Sequence, residues 1–215
     1  MEVWVKEERE TKEKLIDSAR AEFMEKGYAK ASLRKICANA GVTTGALYFF
    51  FEDKEDLFRA IVEPPFTALV NMLQEHFRED EQILSRSDIY EHQEGDHDEV
   101  AEMLIHHLYQ NYDTFILLLT RSQGTAFEDS LDQIVDVTEK RFAESVKLFV
   151  KQSAGKPVNS YIIHWMAHMT VDAFTHLLTH EREEQEAMRQ MKIMMNFIVK
   201  GFVEMISSPA KKGEH

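Results

Sequence analysis

Five polar residues recur at steps of four near the carboxyl end: His164, His168, Asp172, His176 and His180. Two histidines one helical turn apart can chelate a metal ion. A row spaced by four drifts around the helix, however, so at most three adjacent members share a face. The row is either a metal or pH sensor or a set of polar positions beside a seam between helices, and we assign no metal ligand to it.

Catalytic motifs are missing from the sequence. It contains no Gly-x-Ser-x-Gly elbow, no His-Glu-x-x-His pair and no glycine-rich phosphate loop. His180-Glu181 lacks the second histidine that a zinc protease would need. We therefore expect neither an enzyme nor a bound cofactor.

The distribution of charge bears on nucleic-acid binding, because Lys and Arg that neutralise phosphates supply most of the affinity. The chain has a formal net charge of −13, of which residues 1–60 contribute only −1. Residues 26–54 carry five basic side chains and two acidic ones, a local charge of +3. These residues could form a modest phosphate-facing surface, whereas the acidity belongs to the rest of the chain.

The N-terminal residues predict a helix-turn-helix. Apolar residues at helical spacing, followed by Gly27 as a left-handed cap, indicate a first helix over about residues 12–26. Ser32 can cap a second helix, which Gly41 ends and which restarts at Thr43 or Thr44. Asp53 can cap a fourth helix.

The rest of the chain also reads as helical. Pro64 and Pro65 predict a kink or a fresh helix start in the fourth helix, and residues 79–99 read as mostly loop. Further helices are predicted at about residues 99–110, 112–121, 126–152, 157–181 and 184–207. We expect an all-α protein of about nine helices, with a three-helix DNA-binding domain at 1–54, a ligand-binding and dimerisation domain at 55–208 and a disordered tail at 209–215.

The stretch of residues 11–58 resembles the N-terminal domain of the TetR (tetracycline repressor) family of bacterial regulators. The resemblance rests on Gly27-Tyr28, on the Ala40-Gly41-Val42 turn, on Gly45-x-Leu47-Tyr48 and on Phe51-x-x-Lys54-x-x-Leu57. It implies a cytoplasmic, ligand-responsive transcriptional repressor that binds a near-palindromic operator as a dimer and is released by a small-molecule inducer.

The residue types of the predicted recognition helix suit a DNA groove independently of the family. Leu47 and Phe51, four residues apart, can anchor it to the other helices. The residues directed elsewhere are then the groove candidates, and the small ones would allow close approach to base edges or thymine methyls: Thr44, Gly45, Ala46, Tyr48 and Phe49.

The resemblance adds further DNA contacts. It places Arg34 against a base, the hydroxyls of Ser32 and Thr43 against phosphate, and Tyr48 and Lys54 against the DNA backbone. Relatives often carry a backbone-binding histidine or tyrosine where this chain has Phe50, which cannot donate that hydrogen bond. The lone cysteine, Cys37, reads as a small buried residue rather than a redox sensor.

The resemblance also implies a dimer formed by the last two helices. Apolar stripes on both suit that role, although they could equally be the core of one chain. The candidate interface residues are Ile163, Met166, Thr170, Ala173, Leu177, Met191, Met194, Met195, Ile198, Gly201, Phe202 and Met205.

A ligand pocket is implied among helices four to seven. Its candidate wall residues, each of which could instead be ordinary core, are Phe66, Val70, Leu73, Leu104, Leu108, Phe115, Leu118, Phe127, Ile134 and Phe142. On the same resemblance the fourth helix links the pocket to the DNA-binding domain. Pro64 and Pro65 are then either a hinge or a static kink.

One other function remains open, a helical protein whose N-terminal domain grips another protein; DNA binding would differ from it by falling steeply with salt. The first residues become charged too early for a secretory signal, and residues 115–119 are too short an apolar run to span a bilayer. These features favour the cytoplasm.

Overall fold

The computed structural model describes residues 2–84, 96–153 and 158–207, which form nine helices and no strand. The predicted all-α fold is therefore confirmed, and the tail predicted at 209–215 lies outside the described residues. The helices are α1 (Glu2–Lys26), α2 (Leu33–Ala40), α3 (Thr44–Phe50), α4 (Lys54–Leu84), α5 (Asp96–Gln110), α6 (Tyr112–Arg121), α7 (Ser130–Ser153), α8 (Ser160–His180) and α9 (Glu184–Ser207).

The described residues divide into two units. The first contains the residues up to Ala68 together with Asn111–Ser130, and the second contains Leu69–Gln110 and the residues from Leu131 onward. The domain predicted at 1–54 lies within the first unit. The first unit also contains the start of α4 and all of α6. The sequence prediction assigned both to the ligand-binding and dimerisation domain at 55–208.

The core of the first unit comes from one face of each of its helices. Leu15, Ala19 and Phe23 on α1 follow the helical period and are fully buried. They are joined by Ile36 of α2 and Leu47 of α3, both fully buried. A hydrogen bond from Ser18 Oγ to the Ile36 carbonyl, 2.8 Å long, ties α1 to α2. The N-terminal helices therefore form the packed support that the sequence predicts.

A buried carboxylate also fixes α2 against α1. Glu22 is 3% exposed, and its Oε1 accepts a hydrogen bond of 3.3 Å from the backbone N–H of Ser32. Its Oε2 lies 3.2 Å from Nζ of Lys35. Because an unpaired buried charge is costly, the pair ties the first residues of α2 to the carboxyl-terminal part of α1.

Two glycines end the helices α1 and α2. Gly27 follows α1 with φ +74°, and Gly41 follows α2 with φ +70°. Both values lie in the left-handed region that favours glycine, as the sequence predicts for these caps. The α1 helix nevertheless begins at Glu2, ten residues before the predicted start at residue 12.

The prediction of a fresh helix start at Pro65 is wrong, because α4 runs without a break from Lys54 to Leu84 with both prolines inside it. Each proline removes one backbone donor. The helix continues because burial of Ile61, Val62 and Phe66 holds the turns on either side. The loop predicted at 79–99 is also too long, since α4 extends to Leu84 and α5 begins at Asp96.

In the second unit, α8 and α9 pack against each other, and α9 packs on α5. Met191 is fully buried in a cluster with Ala101, Ile105 and Leu177, and Met166, Ala173 and Ile198 form another. The predicted dimer residues that are buried within the single chain are Ile163, Met166, Thr170, Ala173, Leu177, Met191 and Ile198. The apolar stripe predicted as an interface is mostly the seam between helices of one chain.

The candidate pocket residues are distributed over both units. In the first unit, four of them are buried: Phe66, Phe115, Leu118 and Phe127. In the second unit, Leu104 and Leu108 are buried, whereas four are half-buried: Val70, Leu73, Ile134 and Phe142. Such burial fits a core as well as a cavity wall, so the pocket stays a prediction.

The histidines of the polar row on α8 make separate contacts rather than one cluster. Nδ1 of His164 lies 2.6 Å from Oε2 of Glu139, and the rings of His176 and His180 stack at 4.1 Å. Among the described residues, no three His, Cys, Asp or Glu side chains are grouped so as to hold a metal ion. No helix in those residues is both long enough and apolar enough to cross a membrane.

Candidate nucleic-acid interface

One side of the α3 helix is exposed to solvent and contributes no residue to the core. Leu47 and the following Phe51 are buried, which anchors one face of α3 in the first unit. On the other faces, Tyr48 is 58% exposed and Phe49 is 70% exposed, and Thr44 and Gly45 are also exposed. The structure thus directs the groove candidates away from the core, with Ala46 half-buried.

The hydroxyls before α2 and α3 differ in what they bind. Thr43 precedes α3, and its Oγ1 accepts a hydrogen bond of 3.2 Å from the N–H of Ala46. The hydroxyl proton of Thr43 stays available to a phosphate oxygen. Ser32 precedes α2 in extended backbone, but its side chain makes no capping bond, contrary to the predicted cap. Both side chains are exposed and can donate to a ligand.

Ion pairs within the unit consume part of the local positive charge. Nζ of Lys35 lies 3.2 Å from Glu22 and 3.6 Å from Glu25, and these carboxylates raise the pKa of the Lys35 amine, chiefly through the hydrogen bond with Glu22. Lys30 and Arg34, in contrast, are exposed and form no ion pair with the described residues. The cations left for phosphate are therefore fewer than the sequence count suggests.

Lys54, predicted to contact the DNA backbone, has partners within the protein. Its Nζ donates hydrogen bonds to the carbonyl oxygens of Tyr28, at 2.8 Å, and Ala29, at 3.3 Å. The same ammonium lies 4.5 Å from the centre of the Tyr28 ring, a cation–π distance. Because an ammonium has three donors, one remains for a phosphate. Lys54 therefore fixes the α1–α2 turn, whatever else it binds.

Tyr28 and Glu55 extend this contact to the segment after α6. The Tyr28 hydroxyl bonds to Glu55, and burial, that hydrogen bond and the charges of Glu55 and Asp53 raise the pKa of Tyr28 to about 12. Oε1 of Glu55 also accepts a 2.9 Å hydrogen bond from the N–H of Ala126. Neither residue was a candidate from the sequence, since 27 positions separate them and no local pattern signals the contact.

Cys37, the lone cysteine, is buried at 2% exposure on α2. Burial raises the pKa of its thiol, which disfavours the reactive thiolate. The cysteine therefore has the environment of a small core residue.

Comparison with known proteins finds similarity over the same segment. A family model described as bacterial regulatory proteins, tetR family, matches residues 15–61. Over 56 residues the chain is 45% identical to the HTH-type transcriptional repressor BepR of Brucella suis biovar 1 (strain 1330). That alignment covers 26% of this chain and 27% of BepR, so the match spans about a quarter of the relative's length.

Solved structures share the whole fold. A transcriptional regulator of the TerR/AcrR family from Aquifex aeolicus VF5 matches with a TM-score of 0.59 and 21% identity, over 87% of this chain and 99% of that one. A complex of SmeT with triclosan gives the same TM-score and identity, over 95% of this chain and 98% of that one. These likenesses support the fold, and the family-model match confirms the resemblance seen in the sequence.

The contacts of Lys54 predict a structural effect of its removal. Lys54→Met keeps the aliphatic stem but removes the hydrogen bonds that the Lys54 ammonium donates to the Tyr28 and Ala29 carbonyls, so stability should fall by about 1–2 kcal/mol. Thermal unfolding followed by circular dichroism measures this, with Lys30→Met, at an exposed lysine, as the matched control. Equal midpoints for the two variants would contradict the structural role.

Proposed function

We propose that this chain is a ligand-responsive transcriptional repressor of the tetR family of bacterial regulatory proteins, whose family model matches residues 15–61. The observation that carries the proposal is the outward surface of α3, where Thr44, Gly45, Tyr48 and Phe49 are exposed while Leu47 is buried. A short helix held in this way can enter the major groove of DNA. The match to BepR, a transcriptional repressor, supports the same function rather than catalysis.

The contacts fall into two classes. Ser32, Thr43 and Lys54 each keep a donor that can meet a phosphate, and the exposed Lys30 joins them. Arg34, exposed on the first turn of α2, can form a bidentate pair with a guanine edge. Tyr48 carries its hydroxyl to the side of α3, within reach of the DNA backbone. Phosphate contacts then set the position of α3, and Arg34 and the α3 side chains read the bases.

A homodimer suits this function, because two domains can meet half-sites about 34–36 Å apart on a near-palindromic operator. The helices α8 and α9 offer an exposed apolar surface on which residues four apart lie on one face. Its members are Tyr161, Trp165, Ile193 and Phe197, which are 51–73% exposed. Gly201, one turn beyond Phe197, is exposed with open space around it and allows close helix approach. We therefore place the dimer interface on this face rather than on the buried stripe.

Four residues of the predicted interface border this face. Met194, Met195, Phe202 and Met205 are half-buried and pack on the cluster of Met166, Ala173 and Ile198. In the proposed dimer these four residues lie between the buried cluster and the exposed residues of the interface. The core of a protein interface is more apolar than its polar rim, which suits three methionines and a phenylalanine.

A small-molecule inducer completes the proposal. The structure of a SmeT–triclosan complex, which has the same fold, supports a small-molecule ligand for this chain. In this chain the ligand would bind among the apolar residues of the predicted ligand-binding and dimerisation domain. Binding would favour a dimer whose DNA-binding domains no longer match the spacing of the operator half-sites. The homodimer and the inducer are the partners this function requires besides operator DNA.

Duplex selection from a randomised pool, followed by affinity measurement, tests the proposal. We expect a near-palindromic duplex whose affinity falls by orders of magnitude between about 50 and 200 mM salt. Arg34→Ala should cost about 1–3 kcal/mol at one base pair of each half-site and much less at the others. Failure to enrich any duplex, or an affinity insensitive to salt, would favour a domain that grips another protein.

Gly45→Ala should change stability and DNA affinity in opposite directions. A Cβ at Gly45 would meet only Thr43 Oγ1, at 3.7 Å, so the fold has room for it. Alanine favours a helix over glycine by about 0.5–1 kcal/mol, so the unfolding midpoint should rise. Affinity for the selected duplex should fall, because the methyl group stands where the backbone approaches DNA. A variant that is more stable and binds equally well would show that α3 does not approach DNA through Gly45.

The proposed interface predicts that Phe197→Glu yields a monomer. The buried charge would have no partner in a dimer, and Phe197 is 73% exposed in one chain, so the fold should tolerate the change. Sedimentation velocity should give twice the 25.1 kDa chain mass for the parent and a single chain mass for the variant. Met103→Glu, at an exposed apolar residue of α5, is the matched control and should remain dimeric. A dimeric Phe197→Glu would place the interface elsewhere.

A further inference from the structure

The outermost ridge of α3 consists of Gly45 and Phe49. Successive residues of a helix are rotated by about 100°, so residues two positions before and after the buried Leu47 lie on the opposite side. Both are exposed, and Phe49 is 70% exposed. In a domain that packs Leu47, Phe51 and Phe58 out of solvent, an aromatic ring on this ridge contributes little to the core.

The chemistry of α3 limits what it can read. Its seven residues, Thr44–Phe50, include no amide, carboxylate or guanidinium group. Those are the groups that form bidentate pairs with guanine, adenine or cytosine edges. Only the hydroxyls of Thr44 and Tyr48 can hydrogen-bond a base from this helix. The remaining mode of readout is apolar contact, and the C5-methyl of thymine is the apolar group on the major-groove edges.

The Phe49 ring is held in place by its neighbour. The rings of Phe49 and Phe50 meet edge to face at 4.9 Å, and Phe50 lies 6.4 Å from the buried Phe51 ring. Such packing limits the rotamers of an exposed ring, so less conformational entropy is lost when it binds. Gly45 lies one helical turn before Phe49, on the same ridge of α3. Because Gly45 has no side chain, the ring and the backbone beside it can both approach a base.

We propose that Phe49 is a specificity-determining residue that reads thymine methyl groups in each operator half-site. The proposal rests on the DNA-binding function proposed above and assigns base readout on α3 to apolar contact. Arg34 on α2 supplies the hydrogen-bonded readout, so the two helices recognise different base chemistries.

Deoxyuridine substitution tests this contact, since it removes the methyl of thymine and leaves every base-pair hydrogen bond in place. In the selected duplex, symmetric thymine pairs are replaced one pair at a time, and affinity is measured at fixed salt. For the parent protein, replacing one symmetric pair of thymines with deoxyuridine should lower the affinity about tenfold. Each protomer of the dimer then buries one methyl group fewer against Phe49. Phe49→Ala should bind the thymine and deoxyuridine duplexes equally, whereas Phe49→Leu should keep part of the preference.

Tyr48→Phe is the matched control: it removes the hydroxyl assigned to the DNA backbone, so affinity should fall for both duplexes while the ratio of thymine to deoxyuridine affinity stays that of the parent. Unfolding midpoints verify that all variants fold. If Phe49→Ala discriminates thymine from deoxyuridine as the parent does, or if the parent binds the selected duplex without any thymine preference, the readout proposal is overturned while DNA binding stands. A parent that binds no selected duplex above a scrambled one overturns the proposed function itself.

Discussion

Complete burial of Leu47 determines which side of α3 meets solvent, and the proposed interface depends on that orientation. Since α3 has only seven residues, one anchor and the following Phe51 set its rotation. Its place along the chain is set by Gly41, whose left-handed backbone turns the chain from α2 into α3, and by the capping hydroxyl of Thr43. The exposed ridge follows from these three features together, because an apolar anchor without the turn would leave α3 free to slide along its support.

Some of the charged residues around α3 already have partners within the domain, and these partners limit what the charges can offer to DNA. Glu22 engages Lys35, and the carbonyls after α1 engage Lys54. A cation shared with a buried carboxylate or with helix-end carbonyls is already oriented, which lowers the entropy lost when a phosphate approaches. The cost is a weaker positive potential around α3, because the charges of Lys35 and Lys54 are partly used within the protein. In a chain with net charge −13, shape and apolar contact in the groove therefore have to add to the phosphate contacts.

Local signals made the N-terminal domain predictable from sequence. Gly27, Gly41 and Asp53 act at fixed offsets from the helices they cap, and the structure places all three as predicted, with Asp53 Oδ1 accepting from the N–H of Asp56 at 2.8 Å. Contacts between distant positions carried no such signal. The hydrogen bonds of Lys54 to Tyr28 and Ala29 join residues that are 26 and 25 positions apart. The sequence correctly places Ser32 directly before α2, but it does not reveal that the Ser32 side chain makes no capping hydrogen bond.

The interface on α8 and α9 shows the limit of periodicity most clearly. Apolar residues at helical spacing mark a face that must be covered, but the pattern is the same whether the cover is another helix of the chain or a second copy. Both faces of α9 carry such a stripe: Met191 and Ile198 face α5 and α8, while Ile193 and Phe197 face solvent. The structure separates them because a helix can pack each face only once. Once the Met191 face is covered within the chain, the Phe197 face is the apolar surface of α9 that remains for association, and its exposed Gly201 continues the same stripe by one more turn.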